Sequence, residues 1–214
     1  MNLATQLANG IKKLGFSLSE KSQLQLLQYL ALIGKWNRVH NLTAVRTPET
    51  MLVRHLLDSL AVLPYIAGPH IIDVGSGAGL PGIPLALAHP DWQVVLLESN
   101  QKKVVFLQQA RIELELKNVE VVAERVENFR SIVGFDTIIS RAFSDLADFV
   151  KLAGHLCAEG SVDGRLVAMK GVYPDDELAQ IPVQFIVEQV VSLAVPGLEA
   201  ERHLVMIKRC SGGK

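Results

Sequence analysis

The stretch IIDVGSGAGLPGIPLA, residues 71–86, specifies how this chain folds. An apolar run ends in Asp73, a turn carries Gly75, Gly77 and Gly79, and an apolar segment of helical composition follows. Glycine at these positions lets the chain turn sharply out of a buried strand and brings backbone N–H groups close to a ligand ahead of the helix. The spacing selects the ligand. A dinucleotide fingerprint starting at Gly75 needs glycine where Leu80 stands, and a phosphate-binding P-loop needs a G-K-[ST] that is absent. The pattern present is D-x-G-x-G-x-G. An acid two residues before the first glycine repels a pyrophosphate but suits a ligand carrying an ammonium and a sulfonium, S-adenosylmethionine. Glu98, 19 residues beyond Gly79, closes the next predicted strand. A carboxylate there accepts hydrogen bonds from ribose hydroxyls, a rule that fits NAD equally. Ser99-Asn100 beside it could cap the following helix unaided.

Outward from this turn, strands are predicted at 70–74, 93–98, 119–123, 135–140, 165–169, 184–194 and 203–208, with helices near 82–89, 100–116, 145–157 and 174–179. Strands apolar on both faces alternating with helices predict a doubly wound α/β fold with a parallel sheet. The last two strands are joined by VPGLEAER, too short for a crossover helix, and should form an antiparallel hairpin at the end of the sheet order. Five parallel strands closed by such a hairpin is the order of methyltransferases, not of dinucleotide oxidoreductases.

The chain before Gly68-Pro69 reads as helical. Ser19 caps a helix whose apolar positions are Leu24, Leu27, Tyr29, Leu30, Ile33 and Trp36. Pro48 opens another over 49–66, with Leu52, Leu56, Leu60 and Leu63 on one face. The expected organisation is an N-terminal helical extension over 1–66 and a core over 67–214, in one compact unit.

At 214 residues, 49% hydrophobic and 20% charged, the chain suits one domain with a sizeable core and excludes wholesale disorder. No run of about 18 apolar residues is available to span a bilayer, and the start lacks the order of a secretory signal. A soluble, cytoplasmic monomer with no membrane partner is expected. Cys157 and Cys210, far apart and without metal-ligand spacing, suggest neither a disulfide nor a metal site. Charge is unevenly divided. Residues 1–55 hold seven Lys/Arg against two acids, a net of +5, and the other 159 hold 14 against 20, a net of −6. A positive N-terminal face fits a polyanionic partner, although a basic helix is also an ordinary solvated face.

In a fold of this kind the end of the fourth strand faces the reacting methyl group. The segment there is Ser140-Arg141-Ala142-Phe143, without the [DN]-P-P-[FYW] that binds exocyclic amines, and no cysteine is placed as a nucleophile. The substrate atom should need neither, as for a ring nitrogen with a free lone pair, which attacks the sulfonium methyl directly. Phe143 could stack on a base or fill the core. Arg54, His55 and Asp58 share a helix at three- and four-residue spacing, so Asp58 could orient His55 or form a local surface pair. Lys170 and Arg202 stand at strand ends, within reach of a phosphate or merely solvated.

These residues carry a resemblance. KWNRVHNLTAVR (35–46), MLVRHLLDS (51–59), IDVGSGAGLPGIPLA (72–86), RVENF (125–129), ISRAF (139–143), AMKG (168–171) and ERHLVMIKR (201–209) closely resemble the bacterial 16S ribosomal RNA guanine-N7 methyltransferase G family, also called glucose-inhibited division protein B. The likeness runs over nearly the whole length. It implies a class I S-adenosylmethionine-dependent methyltransferase, a Rossmann-like sheet with an N-terminal helical extension. The implied activity is methyl transfer to N7 of one guanine in the decoding region of 16S ribosomal RNA, in the small ribosomal subunit or free. By matching positions, the resemblance implies cofactor contacts at Gly75, Leu80, Val126, Glu127 and Arg141, beside Asp73, Gly77, Gly79 and Glu98 from the turn and strand reading. It leaves Asn41, Arg54, His55, Lys170 and Arg202 as substrate-side candidates, with no metal. The region 159–164 is expected to vary. Two alternatives stand beside it: a small-molecule methyltransferase, which would carry an apolar lid and no basic face, and a cofactor-binding factor without turnover.

Overall fold

The computed structural model describes residues 2–141, 143, 145–157 and 164–210. Of the variable region anticipated at 159–164, positions 159–163 lie outside the described residues, as does Ala142. Seven strands form one sheet: β1 (His70–Val74), β2 (Gln93–Leu97), β3 (Val119–Val122), β4 (Thr137–Ser140), β5 (Arg165–Lys170), β6 (Phe185–Ser192) and β7 (His203–Arg209). Their order is β3-β2-β1-β4-β5-β7-β6. Neighbours among β1–β5 are parallel, and β7 is antiparallel to both β5 and β6. The C-terminal hairpin therefore closes the sheet as expected, with β7 inserted so that β6 runs the same way as the first five strands. The order reverses between β1 and β4, and such a switch point opens a crevice at the carboxyl ends of both strands.

Both faces of the sheet are covered. Ile71 packs into the apolar cluster on one face, while Ile72 and Val74 pack into that on the other, as strand alternation requires. The first cluster includes α1 (Leu3–Lys13), α2 (Glu20–His40), α5 (Gly82–Ala88) and α6 (Gln101–Glu113); the second is built on α7 (Leu146–Ala153). The N-terminal helices thus share a core with the sheet. The fourth strand starts at Thr137 instead of 135, because the Asp136 carboxylate accepts the His70 N–H and Phe135 makes only an isolated bridge to Cys157.

Two details of the helical segment depart from expectation. In α2 the Ser19 hydroxyl accepts the Ser22 N–H at 3.0 Å, but Leu24 is exposed and the buried face is Leu26, Tyr29, Leu30, Ile33 and Asn37. A stripe stepping by three and four is satisfied from either starting leucine, and only the neighbouring helices choose the phase. The expected single helix over 49–66 is broken into α3 (Pro48–Met51), a π-helical turn (Leu52–Leu57), α4 (Asp58–Leu60) and a 3-10 turn (Leu63–Tyr65). The wider turn rotates the following residues, so His55, Asp58 and Ser59 are buried together with Leu52, Leu56 and Leu60. Turns of this type concentrate at functional sites.

Candidate active site

At the crevice, β1 delivers Asp73 and then the glycine turn. Gly75, Gly77 and Gly79 have φ of 70°, 61° and 87°, values that a side chain disfavours. The glycine N–H groups of the turn are not the free donors that the sequence predicts. The N–H groups of Gly75 and Ser76 go to the Leu97 carbonyl, those of Gly79 and Leu80 to the Ser76 carbonyl, and that of Gly77 to Glu98 Oε2 at 2.9 Å. The glycines act through shape. A Cβ on Gly77 would meet no atom closer than 3.9 Å, so the space above it is open, whereas one on Gly79 would lie 2.5 Å from Ile83 Cδ1. Leu80 is 3% exposed, packs within the core and has its N–H bonded to the Ser76 carbonyl.

Asp73 is fully buried. Its Oδ2 accepts the Gly82 N–H at 2.8 Å, where a Cβ on Gly82 would strike Leu96, and its Oδ1 has no partner. Burial pushes the carboxyl from 3.8 up to about 7, and Glu98 adds to the rise, while the Gly82 N–H and the Arg141 charge oppose it. A buried oxygen without a donor is costly, and a ligand ammonium is the group that relieves it. Glu98, 7% exposed at the end of β2, is clamped by the N–H groups of Gly77 and Asn100, both at or below 2.9 Å. Each carboxylate oxygen keeps a second lone pair for a hydroxyl. A cleft of about 360 Å³ begins here, lined by Gly75, Glu98, Val126, Glu127 and Phe143. Val126 is buried and apolar, suited to a base face, and Glu127 is exposed at the rim. An adenosyl group with an amino acid tail therefore fits the donor set: open glycine, ribose carboxylate, apolar wall and an orphaned acid.

The chain leaving β4 borders two spaces. Phe143 lines the cleft just described, whereas Arg141, expected at the cofactor, lines not this cleft but a second cavity, also about 360 Å³, together with Arg54, His55, Asp58, Lys170 and Arg202. The sequence-predicted substrate residues thus converge, except Asn41, which is the left-handed C-cap of α2 (φ 48°) and accepts from Arg46. Two of them are engaged otherwise than expected. Lys170 donates to Glu177 Oε2 at 2.6 Å and to the Phe143 carbonyl, so its charge is neutralised within the protein. Asp58 does not orient His55, nor is it a surface residue: it is 2% exposed, with Arg202 Nε donating to Oδ1 at 2.8 Å and Arg141 Nη1 3.6 Å from Oδ2. His55 Nε2 instead meets the Thr43 hydroxyl at 3.0 Å, and its Nδ1 is buried without a partner. Burial, reinforced by Arg141, lowers the imidazole to about 4 and keeps it neutral at neutral pH.

Sequence reasoning missed Tyr29. Its hydroxyl donates to the Ala78 carbonyl at 2.5 Å, tying α2 to the glycine turn, and burial raises its pKa well above 10.0. The signal was a polar-tipped aromatic on the buried stripe of α2. No group of metal-ligating side chains is found among the described residues.

The model of the family described as rRNA small subunit methyltransferase G matches residues 22–205. The protein named ribosomal RNA small subunit methyltransferase G from Nitrosospira multiformis is 70% identical over 213 residues, covering 98% of this chain and 99% of its own. Its namesake from Nitrosomonas eutropha is 56% identical, covering 97% and 98%. Among solved structures, an S-adenosylmethionine-dependent methyltransferase from Aquifex aeolicus superposes with a TM-score of 0.57 at 18% identity, covering 81% of this chain and 96% of its own, a likeness of fold.

Proposed function

The chain belongs to the rRNA small subunit methyltransferase G family and is an S-adenosylmethionine-dependent methyltransferase; on that basis we propose that it methylates N7 of one guanine in the decoding region of 16S ribosomal RNA. The observation that carries the proposal is the pair of cavities bordered by the chain leaving β4: a cleft lined by Glu98, Val126 and Glu127, and a second cavity lined by Arg54, Arg141 and Arg202. When bound, the cofactor supplies an electrophilic methyl group.

The chain's own residues bind and align. Asp73 Oδ1 receives the cofactor's ammonium, Glu98 its ribose hydroxyls, and Val126 and Glu127 flank its adenine, with Gly77 keeping the space clear. Guanine N7 carries its lone pair in the ring plane and needs no deprotonation, so alignment and charge suffice. Neither cysteine lines either cavity, and burial pushes the Cys157 thiol up to about 11, so no thiolate is at hand. Arg54, Arg141 and Arg202 hold the target nucleotide, and the exposed Lys35, Arg38 and Arg46 of the N-terminal segment extend the contact along the RNA backbone. In this reading residues 1–66 are an RNA-facing extension of a core over 67–214, working as a monomer in the cytoplasm. No described helix is long and apolar enough to cross a membrane.

Mass spectrometry of nucleosides from 16S ribosomal RNA tests the proposal. Cells lacking the protein should lose one N7-methylguanosine, and the gene supplied in trans should restore it. An unchanged N7-methylguanosine content would refute it.

A further inference from the structure

Resting on that reading, we propose that Asp58 is a positioning residue for the RNA: its buried carboxylate holds Arg202 and Arg141 in the wall of the second cavity, so that their remaining donors meet the target nucleotide. Four groups from three separate parts of the chain converge there. Asp58 stands in α4, Arg54 in the π-helical turn, Arg141 after β4 and Arg202 before β7. Arg202 gives Nε to Asp58 at 2.8 Å and Nη1 to the Glu201 carbonyl at 2.8 Å. Arg141 is held by the Arg54 carbonyl at 3.1 Å and by Asp58 Oδ2 at 3.6 Å. A guanidinium has five N–H donors, so these bonds leave others to each arginine.

The charge balance separates this cluster from a structural ion pair. Lys170 and Glu177, on the same side of the cavity, neutralise each other one to one. Asp58 faces two guanidiniums, and Arg54 adds a third on the same wall, so the cavity keeps a surplus of positive charge. A buried carboxylate paired with cations contributes little net stability against an apolar replacement, so the positive surplus on the partly exposed arginines is not accounted for by folding alone. It suits an incoming anion or electron-rich edge: a phosphate of the target nucleotide, or guanine O6. The same wall carries His55 Nδ1, buried and without a partner, a second polar group that the protein leaves unsatisfied. Fixing the arginines in advance removes the entropy that two long side chains would otherwise lose on binding.

The test is steady-state methylation of small ribosomal subunits from cells lacking the protein, with calorimetric titration of S-adenosylhomocysteine as the control. Asp58→Asn keeps the shape of the side chain but loses its charge, and places an amide against a guanidinium. The expected result is a KM for subunits raised at least tenfold, with cofactor affinity within twofold of wild type. A residue needed only for folding would instead reduce the active fraction, lowering apparent kcat at constant KM. In a cycle with Arg202→Gln, the combined loss should fall well short of the product of the two single losses, because both act in part through the Asp58–Arg202 pair. If Asp58→Asn does not fold, Arg202→Lys keeps both charges but loses the guanidinium fork, with its bonds to Asp58 and to the Glu201 carbonyl, and its KM should also rise. A KM within twofold of wild type in the folded variant, or effects that multiply independently, would overturn the proposal. A wild-type protein that methylates no ribosomal RNA would refute the functional reading and this inference with it.

Discussion

Cofactor affinity should rise about tenfold between pH 6 and pH 8, and Asp73 should be the cause. The carboxyl is fully buried, its Oδ1 has no donor, and burial holds it at about 7 instead of 3.8. Without the cofactor the folded protein therefore binds a proton that the unfolded chain releases. Stability from this group is complete below pH 4 and is lost as the pH climbs through 7, a total of about 4 kcal/mol. A ligand ammonium about 4 Å away, at an effective dielectric of about 20, contributes about 4 kcal/mol to the ionised form, which returns the carboxyl to about its ordinary value. Binding must then expel the proton. The ionised fraction of the free protein rises from about one tenth at pH 6 to about nine tenths at pH 8, and affinity follows it. Titration calorimetry with S-adenosylhomocysteine, in two buffers of different ionisation enthalpy, reads both affinity and protons. About half a proton should leave per ligand bound at pH 7. Asp73→Asn should bind more weakly, with no pH dependence over this range. A flat wild-type profile without proton release would show that Asp73 does not meet the ammonium.

Gly77→Val should abolish S-adenosylhomocysteine binding in calorimetry, since its side chain enters the open space above the turn, and at a φ of 61° it should also lower the melting temperature; Gly79→Ala should lower the melting temperature through its Cβ, which falls 2.5 Å from Ile83 Cδ1. Arg141→Ala should reduce methylation of 16S ribosomal RNA about 100-fold, the scale of a misplacement of about an ångström, and a wild-type rate would remove Arg141 from the site. Changing the exposed Lys35 and Arg38 to Glu should flatten the plot of log RNA affinity against log salt by about 1.4, about 0.7 for each phosphate no longer neutralised, with cofactor affinity unchanged. Binding measured across a salt series checks this, and equal slopes would detach α2 from the RNA surface.

What is local was legible in the order of residues. Strand and helix alternation, the glycine turn after Asp73, and the short VPGLEAER link specify the parallel sheet and its terminal hairpin. They do so because side-chain periodicity and turn geometry are properties of a few consecutive residues. The placement of Asp73 and Glu98 was legible for the same reason, each standing at a strand end. What the turn does was not legible: whether its N–H groups face a ligand or the protein depends on Leu97 and Glu98, brought alongside by strand pairing.

The second cavity exists only once the chain is packed. Asp58 and Arg202 are 144 positions apart, and Arg141 is 87 from the Arg54 carbonyl it binds. No spacing rule links such residues. Their meeting follows from the π-helical turn, which turns Asp58 inward, and from the sheet order, which sets β7 beside β5. It was likewise packing that engaged Lys170 with Glu177 and gave His55 to Thr43 instead of Asp58. Which charges neutralise each other and which remain to meet a ligand depends on through-space distance in a low-dielectric interior, and distance is what the linear order of residues does not contain.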